Sequence, residues 1–151
     1  MHQKLTTEQM LEGTTPIITP KHNFKNFKEA RAWAKENIVG AHRNSDTGED
    51  VKVSVATIEK CMSAKAVSKS VNFDAHVSAL RQIPRLIETA VLHEVKEDER
   101  NSLSIIEIQR FYGAINYESH IYPVKLTVKV VLNEGKRAYS YEVLEVESPK
   151  A

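Results

Sequence analysis

From Tyr122 to Leu132 every even position is apolar (Tyr122, Val124, Leu126, Val128, Val130, Leu132), while Lys125, Thr127 and Lys129 stand between them. A period of two is that of a strand with one buried and one wet face. Asn133-Glu134-Gly135 then supplies turn chemistry, and alternation resumes from Arg137 to Glu147 through Tyr139, Tyr141 and Val143. A two-stranded ribbon with one apolar face is not stable alone in water, so the chain upstream must cover it.

Upstream the period lengthens. Phe27, Ala30, Trp33, Ala34 and Ile38 recur at helical spacing after Asn26, a good N-cap with Glu29 three residues on, and Gly40 can end the helix. Asp46-Thr47-Gly48 marks a hairpin turn before Val51, Val53 and Val55, and Ser54 or Thr57 can cap a short helix carrying Ile58, Cys61 and Met62. Ser63 to Phe73 reads as a loop with at most a brief helical turn. Asn72 or Asp74 opens a helix with Val77, Leu80 and Ile83 on its stripe. Pro84 then forces a kink or a new helix, with Leu86, Ile87 and Val91 inward. After a charged loop at Glu97 to Asn101, Leu103 to Tyr117 reads as a strand, and the adjacent Ile105 and Ile106 suggest a bulge or a helical start.

Residues 1–23 are weakly patterned and broken by Pro16 and Pro20, which predicts a flexible arm or linker. Residues 24–151 form one α+β domain in this reading, with N-terminal helices packed on a mainly antiparallel sheet of about four to five strands.

A length of 151 residues with 41% apolar and 27% charged residues fits one ordinary globular unit. No apolar run is long enough to span a bilayer, and Met1-His2-Gln3-Lys4 is not followed by the apolar stretch of a secretory signal. The single cysteine, Cys61, excludes a disulfide framework and any multi-cysteine zinc site. Its apolar neighbours predict a buried, inert thiol and a reducing compartment, hence a cytoplasmic location or a piece of a larger protein. Net charge is only +1, yet Lys60, Lys65, Lys69, Arg81 and Arg85 face a single acid, Asp74, between residues 60 and 86. Such a segment suits an anionic partner such as RNA, or is a solvated helix face.

With five glycines and no Gly-rich phosphate loop or nucleophile elbow, nucleotide cofactors are not expected. The six histidines are scattered, so neither is a metal site. What remains suits metal-free acid–base chemistry: a base for an RNA 2′-hydroxyl, an acid for the leaving oxygen, a cation for the phosphorane. His76 is the first candidate, and also fits a helix-start histidine bonded to backbone. Lys60, Lys65, Lys69 and Ser70 either hold a phosphate or are ordinary surface. Lys125, Thr127 and Lys129 project from one ribbon face beside Tyr139 and Tyr141, which either stack a base or are core. His120 stands near the strand start, where a second proton-handling group can sit.

The stretches NFKEARAWAKENIVGAHRNSDTGEDVKVSVATIEK (Asn26 to Lys60), SVNFDAHVSALRQIPRL (Ser70 to Leu86), YPVKLTVK (Tyr122 to Lys129) and YSYEV (Tyr139 to Val143) together resemble the domains of large polyvalent proteins of phages and conjugative elements. These are similar in layout to the barnase, EndoU, colicin and RelE group of nucleases. The resemblance implies a ribonuclease-like toxin or effector that cuts RNA without metal, with a possible inhibitor (immunity or antitoxin) protein as partner. It would act in the cytoplasm, or in that of a target cell after delivery within a larger protein. It implies His76 and Lys125 as the main active-site groups, with Lys60 and Ser70 beside them. Together with the residue-level reading, the candidate set is His76, Lys125, Lys60, Tyr141 and His120 for catalysis, and Lys65, Lys69, Ser70, Arg81, Thr127, Lys129 and Tyr139 for substrate binding. The alternative is a non-catalytic protein- or nucleic-acid-binding module of a larger polyvalent protein.

Overall fold

The computed structural model describes residues 5–97 and 105–151. The end of the charged loop after Glu97 and the expected strand start at Leu103 lie outside the described residues. In chain order the elements are α1 (Thr7–Leu11), β1 (Ile17–Ile18), α2 (Phe27–Asn37), β2 (Gly40–Arg43), β3 (Asp50–Val53), α3 (Val55–Cys61), α4 (Ala64–Ser68), α5 (Phe73–Leu80), α6 (Ile83–Thr89), β4 (Val91–Glu97), β5 (Ile105–Tyr117), β6 (His120–Asn133) and β7 (Lys136–Val146).

The helix starts follow side-chain capping. Asn26 accepts from the Glu29 N–H, Ser54 from Thr57, Ser63 from Ala66 and Asn72 from Ala75, each supplying one of the acceptors a helix start lacks. Pro84 begins a new helix near its first turn, where its missing N–H costs nothing. Val91, expected on that helix, is instead the first residue of β4.

Strands β5, β6 and β7 form an antiparallel meander joined by two-residue turns. Both turns hold both residues at positive φ: Glu134 (53°) and Gly135 (78°) as the turn chemistry predicts, and Glu118 (49°) and Ser119 (65°) without any glycine. The sheet departs from the expected size and direction. Among the described residues it has seven strands, in the order β1-β5-β6-β7-β3-β2 with β4 also on β5. It is mixed, because β1 runs parallel to β5 and β3 parallel to β7. Both additions come from short segments: β1 is two residues long, and β3 reaches β7 through only Val51↔Tyr139 and Lys52↔Ser140.

Residues 5–23, read as an arm, are attached to this sheet. Ile17 and Met10 are buried, and the Thr19 N–H donates to the Asn116 carbonyl at 2.9 Å.

The helices cover one face of the sheet. Val124, Leu126 and Val128 of β6 with Leu144 and Val146 of β7 share a single core with Ile58, Met62, Leu80 and Leu86 from the helices. The period of two therefore puts Lys125, Thr127 and Lys129 on the opposite face. Leu132, at the end of the alternation, is 53% exposed. No helix among the described residues is long and apolar enough to cross a membrane.

Candidate functional site

His76 lies in α5, whose residues from Ala75 to Leu80 are all buried. A helix buried all round has no wet face, so the choice between inward and outward for His76 disappears. Its side chain is 1% exposed and both ring nitrogens are occupied. Nε2 is 3.0 Å from the Cys61 carbonyl, which can only accept, so Nε2 carries the proton. Nδ1 then accepts from the Ser70 hydroxyl at 2.7 Å. Ser70 Oγ in turn accepts the Val146 N–H at 2.8 Å, and the Val71 N–H donates to the Val146 carbonyl at 3.0 Å. Burial is the main cause that lowers the His76 pKa, against smaller opposite effects of the Cys61 carbonyl and Glu145. The imidazole is a neutral, fully bonded connector between α3, α5 and β7.

Tyr141 belongs to the same interior. It is fully buried, with its hydroxyl 3.5 Å from Cys61 Sγ. Burial, then the neighbouring Cys61, raises its pKa well above the ordinary phenol value. Burial likewise pushes the Cys61 thiol up to about 11. Both shifts favour the protonated forms of the two groups.

The cations expected beside His76 are elsewhere. Lys125 projects from the far face of the sheet and is held by Glu145 at 3.0 Å and Glu147 at 3.9 Å. Lys129, on that same face, and Lys60, from α3, meet on one carboxylate, Glu142, with Lys60 at 3.2 Å. Glu142 is the extra residue of a bulge, since Thr127 pairs with Val143 but Val128 with Tyr141. Burial alone would raise the Glu142 pKa, but the bonds from Lys129 and Lys60 outweigh it and hold the carboxyl below its usual range. Thr127 shares the outer face, and Tyr139 packs partly against the core with the Arg137 guanidinium 5.9 Å from its ring.

Lys65 and Lys69 are exposed on α4 and at its end. Arg81 lies 4.8 Å from the Phe24 ring and 5.3 Å from that of Trp33, and donates to Asn23. His120 is exposed as the first residue of β6, with Nδ1 3.0 Å from the Glu118 carbonyl. The structure thus unites His76, Ser70 and Tyr141 as interior groups, and Lys60 with Lys129 through Glu142. It does not bring His76 and Lys125 into one cleft. Among the described residues no three metal-ligating side chains come together.

A cleft that the sequence reading did not single out opens between residues 22–27 and the start of α5. Its volume is about 270 Å³, and Phe24, Phe27, Phe73 and Val77 supply its apolar wall, with His22, Lys25 and Asn26. Phe73 is 52% exposed, and its ring centroid is 5.5 Å from that of Phe27. The one signal in the sequence is a phenylalanine at the first position of α5, where the capped end of a helix meets solvent.

No curated protein and no solved structure matches the chain. A family model, that of large polyvalent protein-associated domain 3, matches residues 22–139, which span the cleft, all the helices from α2 onward and most of the sheet. By that match, the chain belongs to the large polyvalent protein-associated domain 3 family.

Proposed function

We propose that this domain is a non-catalytic binding module within a larger polyvalent protein of a phage or mobile element. One observation carries the reading: the group best suited to take a 2′-hydroxyl proton, His76, has both nitrogens bonded inside the core, while Lys125 is ion-paired across the sheet from it. General acid–base catalysis requires a base within hydrogen-bond reach of substrate, and a sealed imidazole offers no such approach. The family name, which describes association with large polyvalent proteins, fits a module that works as part of a longer chain.

Incubation of the purified protein with total RNA in EDTA tests this, with Lys125→Ala beside the parent. Intact RNA with both proteins is the expected result. Chelator-resistant cleavage by the parent overturns the reading, and its loss in Lys125→Ala would return Lys125 to a catalytic place.

A further inference from the structure

Charges on this molecule are unevenly matched. On the outer face of the sheet Lys125, Lys129 and Arg110 each meet a carboxylate, as does Arg137 near the β6–β7 turn. Around the apolar cleft they do not. Lys21, Lys25 and Lys28 are exposed and make no ion pair among the described residues, and Lys25 lines the cleft itself. Of the nearby acids, Asp74 is bonded to His22 at 3.0 Å, and Glu29 follows on the exposed side of α2. The cleft therefore combines an aromatic wall with a lysine, Lys25, that meets no carboxylate among the described residues.

Its polar groups narrow what can enter. His22 Nδ1 accepts the Phe24 N–H at 3.2 Å while its Nε2–H is directed at Asp74. Asn26 Oδ1 accepts the Glu29 N–H at 2.9 Å. Apart from the Asn26 amide and the Lys25 ammonium, the wall side chains are apolar or already bonded, so a nucleobase would leave most of its edge without replacement for its bonds to water. A phenyl or isobutyl side chain loses none and gains apolar burial.

We propose that this cleft docks an acidic protein segment, which lays one bulky apolar side chain in the cleft against Phe27 and Phe73 and sets its carboxylates against Lys25. The proposal rests on the binding-module reading and gives it a partner and a place. The probe is a blocked synthetic pentapeptide, phenylalanine flanked on each side by two glutamates, titrated into ¹⁵N-labelled protein and followed by amide chemical shifts. Its lysine-flanked counterpart and hexauridylate are the other two arms.

Saturable shifts centred on residues 22–27 and 73–77 are expected with the acidic peptide alone. Lys25→Glu should weaken binding about fivefold, the scale of one exposed charge pair, and Phe73→Ser should remove it. Both side chains are exposed, so the dispersed amide spectrum of each variant should persist. The proposal fails if the acidic peptide gives no saturable shift at millimolar concentration, if the lysine-flanked peptide binds equally, or if only hexauridylate binds. Such a failure with RNA still intact in EDTA removes this site and leaves the non-catalytic reading standing.

Discussion

Ser70 Oγ joins His76 to Val146, lying 2.7 Å from the imidazole Nδ1 and accepting the Val146 N–H at 2.8 Å. The relationship matters because β7 has a partner on its outer side only at Tyr139 and Ser140, where β3 runs beside it. Beyond that point no strand among the described residues pairs with its edge, and an unpaired edge is a liability in any sheet. Helical side chains and the α4–α5 loop close it: Thr57 Oγ1 donates to the Tyr141 carbonyl at 3.1 Å, Cys61 Sγ is 3.8 Å from the Glu142 carbonyl, and Ser70 with Val71 pair with Val146. Of the candidate residues read from the sequence, Ser70 lies on this strand edge and His76 is bonded to it.

Ser70→Ala should therefore behave as a core substitution. It leaves the Val146 N–H without its acceptor and His76 Nδ1 without a donor, in a place water does not readily reach. A loss of about 2 kcal/mol is expected, within the range for stranding buried polar groups. Urea unfolding should show a lower midpoint with an unchanged slope. A change below about 0.5 kcal/mol, the level of ordinary surface substitutions, would mean that the edge closes without this bond.

The buried imidazole also links stability to pH. Its folded-state pKa lies below the ordinary value of 6.5, with burial the leading cause. As pH falls through 6.5, the unfolded chain takes up a proton that the folded state refuses. The His76 contribution is thus fully present above that pH and declines below it, by at most about 1.4 kcal/mol per pH unit. In NMR spectra of the folded protein the ring should keep the shifts of the neutral Nε2–H tautomer as pH falls through 6.5, and any protonation should come at lower pH. Titration of His76 with an ordinary midpoint would contradict the sealed geometry.

How much of this was legible depends on whether one residue's pattern or two distant segments decided the outcome. The caps at Asn26, Ser54 and Asn72, the turn at Glu134-Gly135 and the buried alternation of β6 are local, and sequence chemistry specifies them. The Glu118-Ser119 turn carries no glycine or asparagine, so only the pairing of β5 with β6 imposes its positive φ values. The parallel docking of Ile17–Ile18 on β5 is set by tertiary contact and leaves almost no periodic trace in two residues. At the candidate site, spacing identified His76 and Ser70 as neighbours worth attention, but not that Cys61 and Val146 would take up their polar atoms. Burial of a helix on every side is a property of what surrounds it.

Glu142 offers a test in the acid range. Its carboxylate accepts from Lys60 and Lys129 at the β7 bulge, and its pKa is held below 4.5 despite burial. A depressed carboxylate contributes stability above its unfolded-state pKa and loses it as pH falls through the folded one. Glu142→Gln should cost about 1 kcal/mol at pH 7, the lower part of the range for charge-assisted bonds because Lys60 is largely exposed. The difference from the parent should shrink below about pH 4. Denaturant curves at pH 7 and pH 3.5 would show it, and an equal difference at both would rule out the charge as its source.

Helix α6 comes close to the sheet at Gly113 in β5. A Cβ built there would sit 3.0 Å from Leu86 Cδ2 of α6, with Ala90 Cβ at 3.9 Å. Leu86 is completely buried, so its methyl has little room to retreat into a close-packed interior. Gly113 has no positive φ, which means that alanine meets no backbone penalty and would even lower the entropy of the unfolded chain. The two effects oppose each other, and contact distance decides between them. Overpacking a well-filled core typically costs about 1–3 kcal/mol, against a gain of about 0.4–1 kcal/mol from the unfolded state. Gly113→Ala should therefore destabilise by about 1 kcal/mol, and Gly113→Ala combined with Leu86→Ala should cost less than the sum of the two single changes. Additive losses in denaturant unfolding would show that α6 moves away as a body and that Leu86 does not set the approach.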